Sequence, residues 1–417
     1  MKPPILVVAS NAWKGDEAGG AYKIASDFSV FCAQKGWEVH YICSHRDGSG
    51  LRPAHEMGVW VWRYLRPMKR PQGKSLRNFF DHLGRSGAVM RRILASVGSG
   101  RPVVLNGHSA LQYLGALQAC GDGVFARKVM SVHSPLAEEF LAEKNNMRLT
   151  IRDQLAVWLL RQVEKSCFLK SDEIQYDSNF TQSVFYKNFK KKSGRKGLVC
   201  PGYVDLFEFA KALIPRTEAR RRLGQEAWRT EEACFFCLRR FTERMGIDCL
   251  VLACAWLKEK LSRSRSKLRF RLVLGGEGPL KHKLERQVRD LGLSDCVFFI
   301  GGIPEEELAL HYRSADCFVL PSRALECFGL VILESFAAGT AVIATPVGAI
   351  PEVLGPFAEE SLTGGTSPEA IGKVMLDFLN APRENGRELR QYAENFSKDK
   401  ILCKLETIVA GDIGVAS

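Results

Sequence analysis

The chain has 417 residues, of which 46% are hydrophobic and 25% charged, a composition typical of globular proteins and unlike that of a disordered chain. Its length exceeds what a single hydrophobic core supports and favours two domains. Lysine and arginine exceed aspartate and glutamate by 13, which favours anionic partners such as phosphates, nucleic acids or acidic membranes without choosing among them.

Neither the N-terminus nor the cysteines indicate export. The apolar part of MKPPILVVASN is short for a signal peptide and predicts a first strand, and no apolar run reaches the roughly 20 residues that cross a bilayer. Thirteen cysteines scattered through predicted strands and helices favour reduced thiols in a cytoplasmic protein. The pair Cys234 and Cys237 lacks a matching second pair, so we expect neither zinc nor a redox motif there.

Seven apolar runs in the first half alternate with helical stretches and predict a doubly wound parallel sheet. Gly19 and Gly20 follow the first strand and precede a helix, where glycine lets a backbone approach a phosphate; an ordinary tight turn is the alternative. His133 ends a strand at the sheet edge where ligands bind, and a structural histidine is the alternative. The runs begin at Ile5, Val39, Val59, Val103, Val129, Glu173 and Leu198.

Residues 63–101 form a basic stretch that contains a single acid. Its middle has a helical period, with apolar residues on one face and Arg77, Arg85 and Arg92 opposite. One hypothesis is a surface for anionic lipid or an anionic acceptor, and the other is a core-packed helix with a solvated face. A lysine-rich cluster at residues 187–196 would add to the same surface.

Five further apolar runs predict a second Rossmann-like domain. We interpret residues 1–203 as the first domain, residues 204–394 as the second, and residues 395–417 as a C-terminal helix. Arg240 and Arg244 follow the first strand of the second domain, and guanidinium groups there would bind a leaving pyrophosphate; solvated loop arginines are the alternative. The runs begin at Cys234, Phe270, Cys296, Cys317 and Ala341.

Residues 324–354 carry two acids, Glu326 and Glu334, on either side of an apolar run. The segment lies between two predicted strands and forms a loop and then a helix from about Gly329, so both acids lie near the carboxyl end of a parallel strand. A helical rise of roughly 1.5 Å per residue separates them by about 12 Å, comparable to a nucleotide-sugar from hexose to ribose. A pair of solvated acids on an amphipathic helix is the alternative.

These residues resemble the C-terminal signature of retaining nucleotide-sugar glycosyltransferases of the GT-B fold, glycosyltransferase family 4, in which two glutamates flank seven residues. The resemblance covers nearly the whole chain and implies an α/β fold of two Rossmann-like doubly wound domains facing a central cleft. It implies that Glu326 contacts the donor sugar and Glu334 the ribose. The backbone of Phe328, Gly329 and Leu330 would face the diphosphate, where a helix start offers unpaired N–H groups.

The same resemblance implies roles for residues elsewhere in the chain. Gly19 and Gly20 would lie against the donor diphosphate and the acceptor, and His133 would contact the hexose. The backbone near Ile303 would read the nucleobase edge. The C-terminal helix would cross back onto the first domain.

The cations near the diphosphate depart from the family pattern. The family has an arginine and a lysine before a glycine, and Arg240 matches the arginine. Met245 occupies the lysine position, so we expect Arg244 to replace that charge. No metal is required, because protein cations and a helix dipole can stabilise the leaving diphosphate.

These features predict a cytoplasmic retaining glycosyltransferase in glycolipid, polysaccharide or other glycoconjugate synthesis. It would move a hexose from a nucleoside-diphosphate sugar, with UDP- and GDP-sugars favoured, to a hydroxyl of a glycan, glycolipid or small molecule. No cofactor beyond the donor and no nucleic-acid partner are expected, and peripheral contact with the inner membrane face stays open. The alternatives are a GT-B nucleotide-sugar epimerase and a non-catalytic glycosyltransferase-like protein.

Overall fold

The computed structural model describes residues 3–14, 16, 19–46, 52–66, 76–98, 100–121, 123–144, 148–189, 197–224, 232–383 and 385–413. The chain forms two compact units. Unit 1 comprises Met1–Ala137, Leu149–Pro201 and Ile401–Ser417, and unit 2 comprises Glu138–Arg148 and Gly202–Lys400.

The described part of unit 1 contains one sheet in the order β3-β4-β2-β1-β5-β6-β7-β8. Its central strand β1 is buried along its whole length, as expected for a parallel strand covered on both faces. The seven predicted strands are confirmed. An edge strand, β3, was missed; it pairs antiparallel with β4, and its three residues are exposed or half-buried and have no apolar run. The strands are β1 (Ile5–Ala9), β2 (Glu38–His45), β3 (Ala54–Glu56), β4 (Val59–Leu65), β5 (Val103–Gly107), β6 (Arg127–Val132), β7 (Glu173–Tyr176) and β8 (Leu198–Val199).

The sheet of unit 2 is parallel throughout, in the order β11-β10-β9-β12-β13, and the five predicted strands are confirmed. Successive side chains of a strand alternate between faces. Cys234 and Cys237 of β9 therefore enter different cores, where burial raises the pKa of each thiol to about 12, and they do not face one common ion. The strands are β9 (Glu232–Leu238), β10 (Arg269–Gly275), β11 (Val297–Gly301), β12 (Cys317–Leu320) and β13 (Ala341–Ala344).

Helices connect the strands and cover both sheets. The helix predicted from about Gly329 is α12, and the one predicted near the C-terminus is α17. In chain order they are α1 (Gly20–Gln34), α2 (Leu76–Val97), α3 (Ala110–Gln118), α4 (Leu136–Lys144), α5 (Ile151–Lys170), α6 (Asn179–Phe189), α7 (Leu206–Ala210), α8 (Arg216–Arg222), α9 (Ile247–Arg263), α10 (Lys281–Asp290), α11 (Glu305–Ser314), α12 (Leu330–Ala337), α13 (Ile350–Leu354), α14 (Ala358–Ser361), α15 (Pro368–Asn380), α16 (Gly386–Ala393) and α17 (Lys398–Ala410).

Residues of α17 from Ile401 onward pack within unit 1. The Trp37 indole nitrogen donates to Glu406 Oε1 at 3.1 Å, and Arg127 Nη2 donates to the Ile408 carbonyl at 3.0 Å. Buried apolar residues of the helix, including Leu405, accompany these polar contacts. None of the helices that the structure describes combines the length and the apolar character needed to cross a bilayer.

Helix α2 carries the predicted basic surface. Its apolar face, including Met90 and Ile93, is buried in the core of unit 1. On the opposite side Arg92 is exposed, whereas Arg85 Nη1 donates to the Leu65 carbonyl at 2.7 Å. The side chain of Arg77 lies outside the described residues, as do residues 190–196, which hold Lys190 to Lys192.

Candidate functional site

A chain of polar side chains lies at the carboxyl ends of three neighbouring strands of unit 1. His133 follows β6, His108 follows β5 and Asp177 follows β7. His133 Nδ1 lies 2.8 Å from Asp177 Oδ2, and its Nε2 lies 2.8 Å from His108 Nδ1. His108 Nε2 lies 2.7 Å from Asn106 Oδ1. The edge that sequence reasoning assigned to ligands therefore holds a continuous hydrogen-bonded row.

The hydrogen-bond pattern fixes where the protons of this row lie. Asn106 donates through Nδ2 to Ser131 Oγ, so its Oδ1 accepts from His108 Nε2–H. His108 Nδ1 then accepts from His133 Nε2–H, and His133 Nδ1–H donates to the Asp177 carboxylate. Both ring nitrogens of His133 are thus held by neighbouring side chains, and Asp177 fixes the orientation of the ring.

His133 was predicted from the sequence, whereas His108 and Asp177 were missed. Each of them stands just after a predicted strand, at the edge where His133 was sought, and that shared position was the available signal. Both ring nitrogens of His133 are engaged by protein groups. A sugar contact through the ring would therefore need one of these bonds exchanged, and the predicted contact with the hexose stays a prediction.

Gly19 and Gly20 mark the start of α1, as expected from the sequence. Gly19 precedes the helix in extended backbone, and both glycines are exposed. A Cβ built on Gly19 would lie 3.1 Å from the ring of Tyr22. The helix start is therefore accessible, and its predicted contact with the diphosphate remains a prediction.

In unit 2 the loop after β12 buries Glu326, which is 8% exposed. Its Oε2 accepts from Arg239 Nη2 at 2.5 Å and from Ser322 Oγ at 2.7 Å. Its Oε1 has no hydrogen-bond partner among the described residues and retains acceptor capacity for a ligand hydroxyl. Leu325, just before it, has φ 48°, a left-handed conformation that is costly for leucine and is often found at functional sites.

Arg239, the partner of Glu326, was missed by sequence reasoning. Its Nη2 also donates to Met245 Sδ at 2.7 Å, so the guanidinium lies beside the position where the resemblance implies a lysine. Its Nε is buried without a hydrogen-bond partner in the described part of the chain. An unpaired buried donor is costly, so the pairing of Nη2 with Glu326 is made at the expense of this atom.

The two predicted cations lie around this pair. Arg240 is exposed, and among the described residues it is Arg239, not Arg240, that forms the ion pair with Glu326. Arg244 Nη1 donates to the Leu325 carbonyl at 3.2 Å, and its Nη2 lies 3.5 Å from Glu139 Oε1 on α4. Arg239 thus places a guanidinium beside Met245 and Glu326, while the expected roles of Arg240 and Arg244 at the diphosphate stay predictions.

Close backbone contacts hold the loops of this site together. The Arg323 amide donates to the Arg244 carbonyl at 2.8 Å. Gly246 has φ 70°, and a Cβ there would lie 1.9 Å from the Pro321 carbonyl oxygen. Gly348 has φ 62°, and a Cβ there would lie 2.2 Å from the Glu326 carbonyl oxygen. Larger residues would force these loops apart, so the glycines permit the placement of Glu326.

Helix α12 presents Glu334 and begins where the sequence predicted. The Tyr312 hydroxyl donates to Glu334 Oε2 at 2.7 Å, and burial, followed by the Glu334 charge, raises the pKa of Tyr312 well above its usual value. Gly329, at the start of the helix, has φ 95°; Phe328 is buried and Leu330 is half-buried. Because the first N–H groups of a helix lack partners within it, this start can bind an anion.

Ile303 lies after β11, at the same carboxyl edge of the sheet. It is half-buried, and a Cβ built on Gly275 would lie 2.9 Å from its Cδ1. The Gly276 amide donates to the Gly301 carbonyl at 2.6 Å and joins the ends of β10 and β11. The predicted base contact thus shares an edge with Glu326 and remains a prediction.

Comparison with solved structures defines the fold. The structure matches that of sucrose-phosphate synthase from Thermosynechococcus elongatus with a TM-score of 0.76 and 22% sequence identity. The match covers 97% of this chain and 98% of the synthase chain. Two Rossmann-like units, each built on a largely parallel sheet, are the components of the GT-B fold, and the predicted fold class is confirmed.

The match to a family model lies within unit 2. Residues 219–396 match the family model described as glycosyl transferases group 1. A GDP-mannose-dependent alpha-(1-6)-phosphatidylinositol monomannoside mannosyltransferase of Mycolicibacterium smegmatis is 31% identical over 51% of this chain and 54% of its own length. A D-inositol 3-phosphate glycosyltransferase of Streptomyces avermitilis is 34% identical over 51% of this chain and 46% of its own length. The chain thus spans about half the length of these relatives.

The Arg239 and Glu326 pair yields a stability prediction. Arg239→Met leaves a buried carboxylate without its cation, so we expect a loss of about 3–5 kcal/mol in the free energy of unfolding. Adding Met245→Lys should restore most of this loss, because Met245 Sδ already contacts the Arg239 guanidinium. Chemical denaturation measures both. The exposed control Arg240→Met should change stability by less than about 0.5 kcal/mol; equal losses in the two single variants would contradict the pairing.

The histidine row yields a pH prediction. Burial and then the neighbouring His133 charge hold the pKa of His108 well below its usual value. On acidification through a pH of about 6.5, His108 therefore takes up a proton in the unfolded chain but stays neutral in the folded one. His108 thus stabilises the fold fully above that pH, and its contribution falls by up to about 1.4 kcal/mol per pH unit below it.

Denaturation of the parent and of His108→Gln at several pH values from pH 8 to pH 5 tests this effect. This range includes the pKa of histidine in the unfolded chain, about 6.5. Below that pH, the free energy of unfolding of the variant should fall less steeply with decreasing pH than that of the parent, by the contribution of about one proton. Identical slopes in the two proteins would show that His108 does not contribute in this way.

Proposed function

We propose that this protein is a retaining glycosyltransferase that moves a hexose from a nucleoside-diphosphate sugar to an acceptor hydroxyl. The observation that supports it best is the buried Glu326, whose Oε2 is held by Arg239 and Ser322 while Oε1 retains acceptor capacity. A carboxylate oriented in this way is suited to accept hydrogen bonds from sugar hydroxyls. Glu334 on the following helix is placed to bind a second part of the same donor.

We assign the following roles to the site residues of unit 2. Glu326 binds the hexose and Glu334 the ribose. The start of α12 and the cations Arg239 and Arg240 bind the diphosphate and offset the negative charge that grows as it leaves. Arg239 contributes the positive charge of its guanidinium, which also holds Glu326.

The relatives suggest where to begin with substrates. The Mycolicibacterium smegmatis relative is named for GDP-mannose and for a phosphatidylinositol mannoside. We therefore place GDP-mannose first among the donors and inositol-containing or other glycolipids first among the acceptors. No cofactor beyond the donor is included in the proposal.

Binding and turnover assays test the proposal with the full chain. UDP-, GDP- and ADP-sugars are screened for a rise in unfolding temperature, since a ligand at a hundred times its dissociation constant adds about 2.7 kcal/mol of stability. Nucleotide release is then measured with and without acceptor, and the anomeric configuration of the product is read by NMR. Release of nucleotide that needs no acceptor would favour the epimerase, an inverted product would reject retention, and no donor binding would reject the proposal.

Replacement of the two glutamates should separate their roles. Glu326→Gln should slow transfer by at least about tenfold with little change in nucleotide affinity, because it loses a charged hydrogen bond to the sugar. Glu334→Gln should weaken binding of the nucleoside diphosphate more than it slows transfer at saturating donor. Isothermal titration with the nucleotide and steady-state kinetics supply both values. Parental behaviour in both variants would contradict the site.

We further propose that the basic side of α2 contacts an anionic lipid surface. Phe80, on the same helix, is 60% exposed, and an exposed apolar side chain on a basic helix also favours contact with lipid. Each basic group near an anionic membrane contributes about 1 kcal/mol, so replacing Arg77, Arg85 and Arg92 by Gln should weaken vesicle binding by roughly two decades at low salt. Co-sedimentation with neutral and acidic vesicles measures this. Equal partitioning to both would instead favour a core-packed helix and a soluble acceptor.

A further inference from the structure

A cavity of about 300 Å³ opens in unit 2 at the amino ends of β12 and β13. Asp316, which lines it, immediately precedes β12, whereas Glu326 follows the carboxyl end of the same strand. The cavity and the candidate donor site thus lie at opposite ends of β12. The five basic side chains that line the cavity are Arg216, Arg313, Arg383, Arg387 and Arg390.

Positive charge dominates the cavity. Asp316 is the one acid among the described residues that line it. Its two oxygens are occupied, because Arg216 Nη1 lies 2.9 Å from Oδ1 and Arg220 Nη2 lies 2.8 Å from Oδ2. The other four arginines of the cavity form no ion pair with a carboxylate of the described residues.

Backbone contacts hold several of these guanidinium groups in place. Arg313 Nε donates to the Ile214 carbonyl at 2.7 Å, and Arg383 Nη1 donates to the Val342 carbonyl at 3.3 Å. The Arg390 guanidinium packs on Gly339, where a Cβ would lie 2.2 Å from Nη1. Each guanidinium carries five N–H donors, so these bonds orient the groups and leave donors for a ligand.

The arginines are close enough to affect one another. Burial, followed by the positive charges of Arg216 and Arg390, lowers the pKa of the Arg313 guanidinium. Like charges gathered in a partly buried cavity destabilise the fold unless an anion joins them. The planar fork of arginine matches the oxygens of a phosphate, and the cavity volume suits a small molecule.

We propose that this cavity binds a small phosphate-bearing anion, of the size of a sugar phosphate or pyrophosphate, at a site separate from the donor site. The concave shape and the five arginines carry the proposal. It does not depend on the proposed transfer reaction, because none of the cavity residues has a role in that reaction.

Inorganic pyrophosphate is the probe, added to the full-length protein and followed by isothermal titration. Three proteins are compared with the parent: Arg313→Gln with Arg390→Gln in the cavity, Arg240→Gln at the donor site, and the exposed control Arg289→Gln on α10. We expect the cavity pair to weaken one class of pyrophosphate sites by about a hundredfold or more, roughly tenfold for each charged hydrogen-bond donor removed. Arg240→Gln and Arg289→Gln should leave that class intact.

Arg387→Glu provides a second cavity variant in case the paired change impairs folding. The Arg387 side chain is exposed and has no structural hydrogen bond among those described, so charge reversal there should weaken the same class with unchanged circular dichroism. Pyrophosphate binding that is lost only in Arg240→Gln, or kept in both cavity variants, would overturn the proposal.

A vesicle-binding experiment distinguishes a lipid headgroup from a soluble anion as the source of the phosphate. Phosphatidylcholine vesicles with and without a phosphatidylinositol phosphate are co-sedimented with the parent and the cavity variants. Binding that requires both the phosphoinositide and the cavity arginines would support a lipid headgroup as the source. Cavity-dependent binding of pyrophosphate alone would support a soluble anion. If the cavity arginines contribute to neither phosphoinositide binding nor pyrophosphate binding, the proposed site is wrong.

Discussion

The buried contact between Arg239 and Glu326 is the constraint around which the second sheet arranges its ligand edge. The side chains of Arg239 and Glu326 are 9% and 10% exposed, and each would be an uncompensated charge without the other. The pair ties the loop after β9 to the loop after β12, which belong to neighbouring strands. The same contact that satisfies the acid therefore brings a guanidinium to the edge where a diphosphate would bind.

The loops of the site adopt unusual backbone conformations that permit this arrangement. Leu325 adopts a left-handed conformation, and Gly246 and Gly348 allow backbone contacts that a side chain would prevent. A rigid surround of this kind keeps Glu326 at fixed distances from Arg239 and Ser322 before any ligand arrives. Pre-organised polar groups of this kind stabilise developing charge more effectively than mobile ones, because they need no reorganisation during the reaction.

The sequence predicted the parallel strands and the start of α12, because apolar runs and glycine positions report local structure directly. It missed β3, which has no apolar run. It also did not single out Arg239, because spacing alone does not show which of the adjacent Arg239 and Arg240 points into the site. Whether Arg239 or Arg240 turns inward depends on how β9 ends against the Glu277 loop, where the Phe241 amide donates to the Glu277 carbonyl. The His108 and Asp177 contacts likewise depend on the pairing of β5, β6 and β7.

The two ends of β12 divide the chemistry of unit 2. At the carboxyl end, loops supply an acid, a cation and a helix start, a combination suited to a polar ligand with both hydroxyl and phosphate groups. At the amino end, α8, α11 and α16 supply guanidinium groups around one acid that is already paired. A parallel sheet permits this division, since its connections leave separate sets of loops at the two edges and each set can acquire its own ligand chemistry.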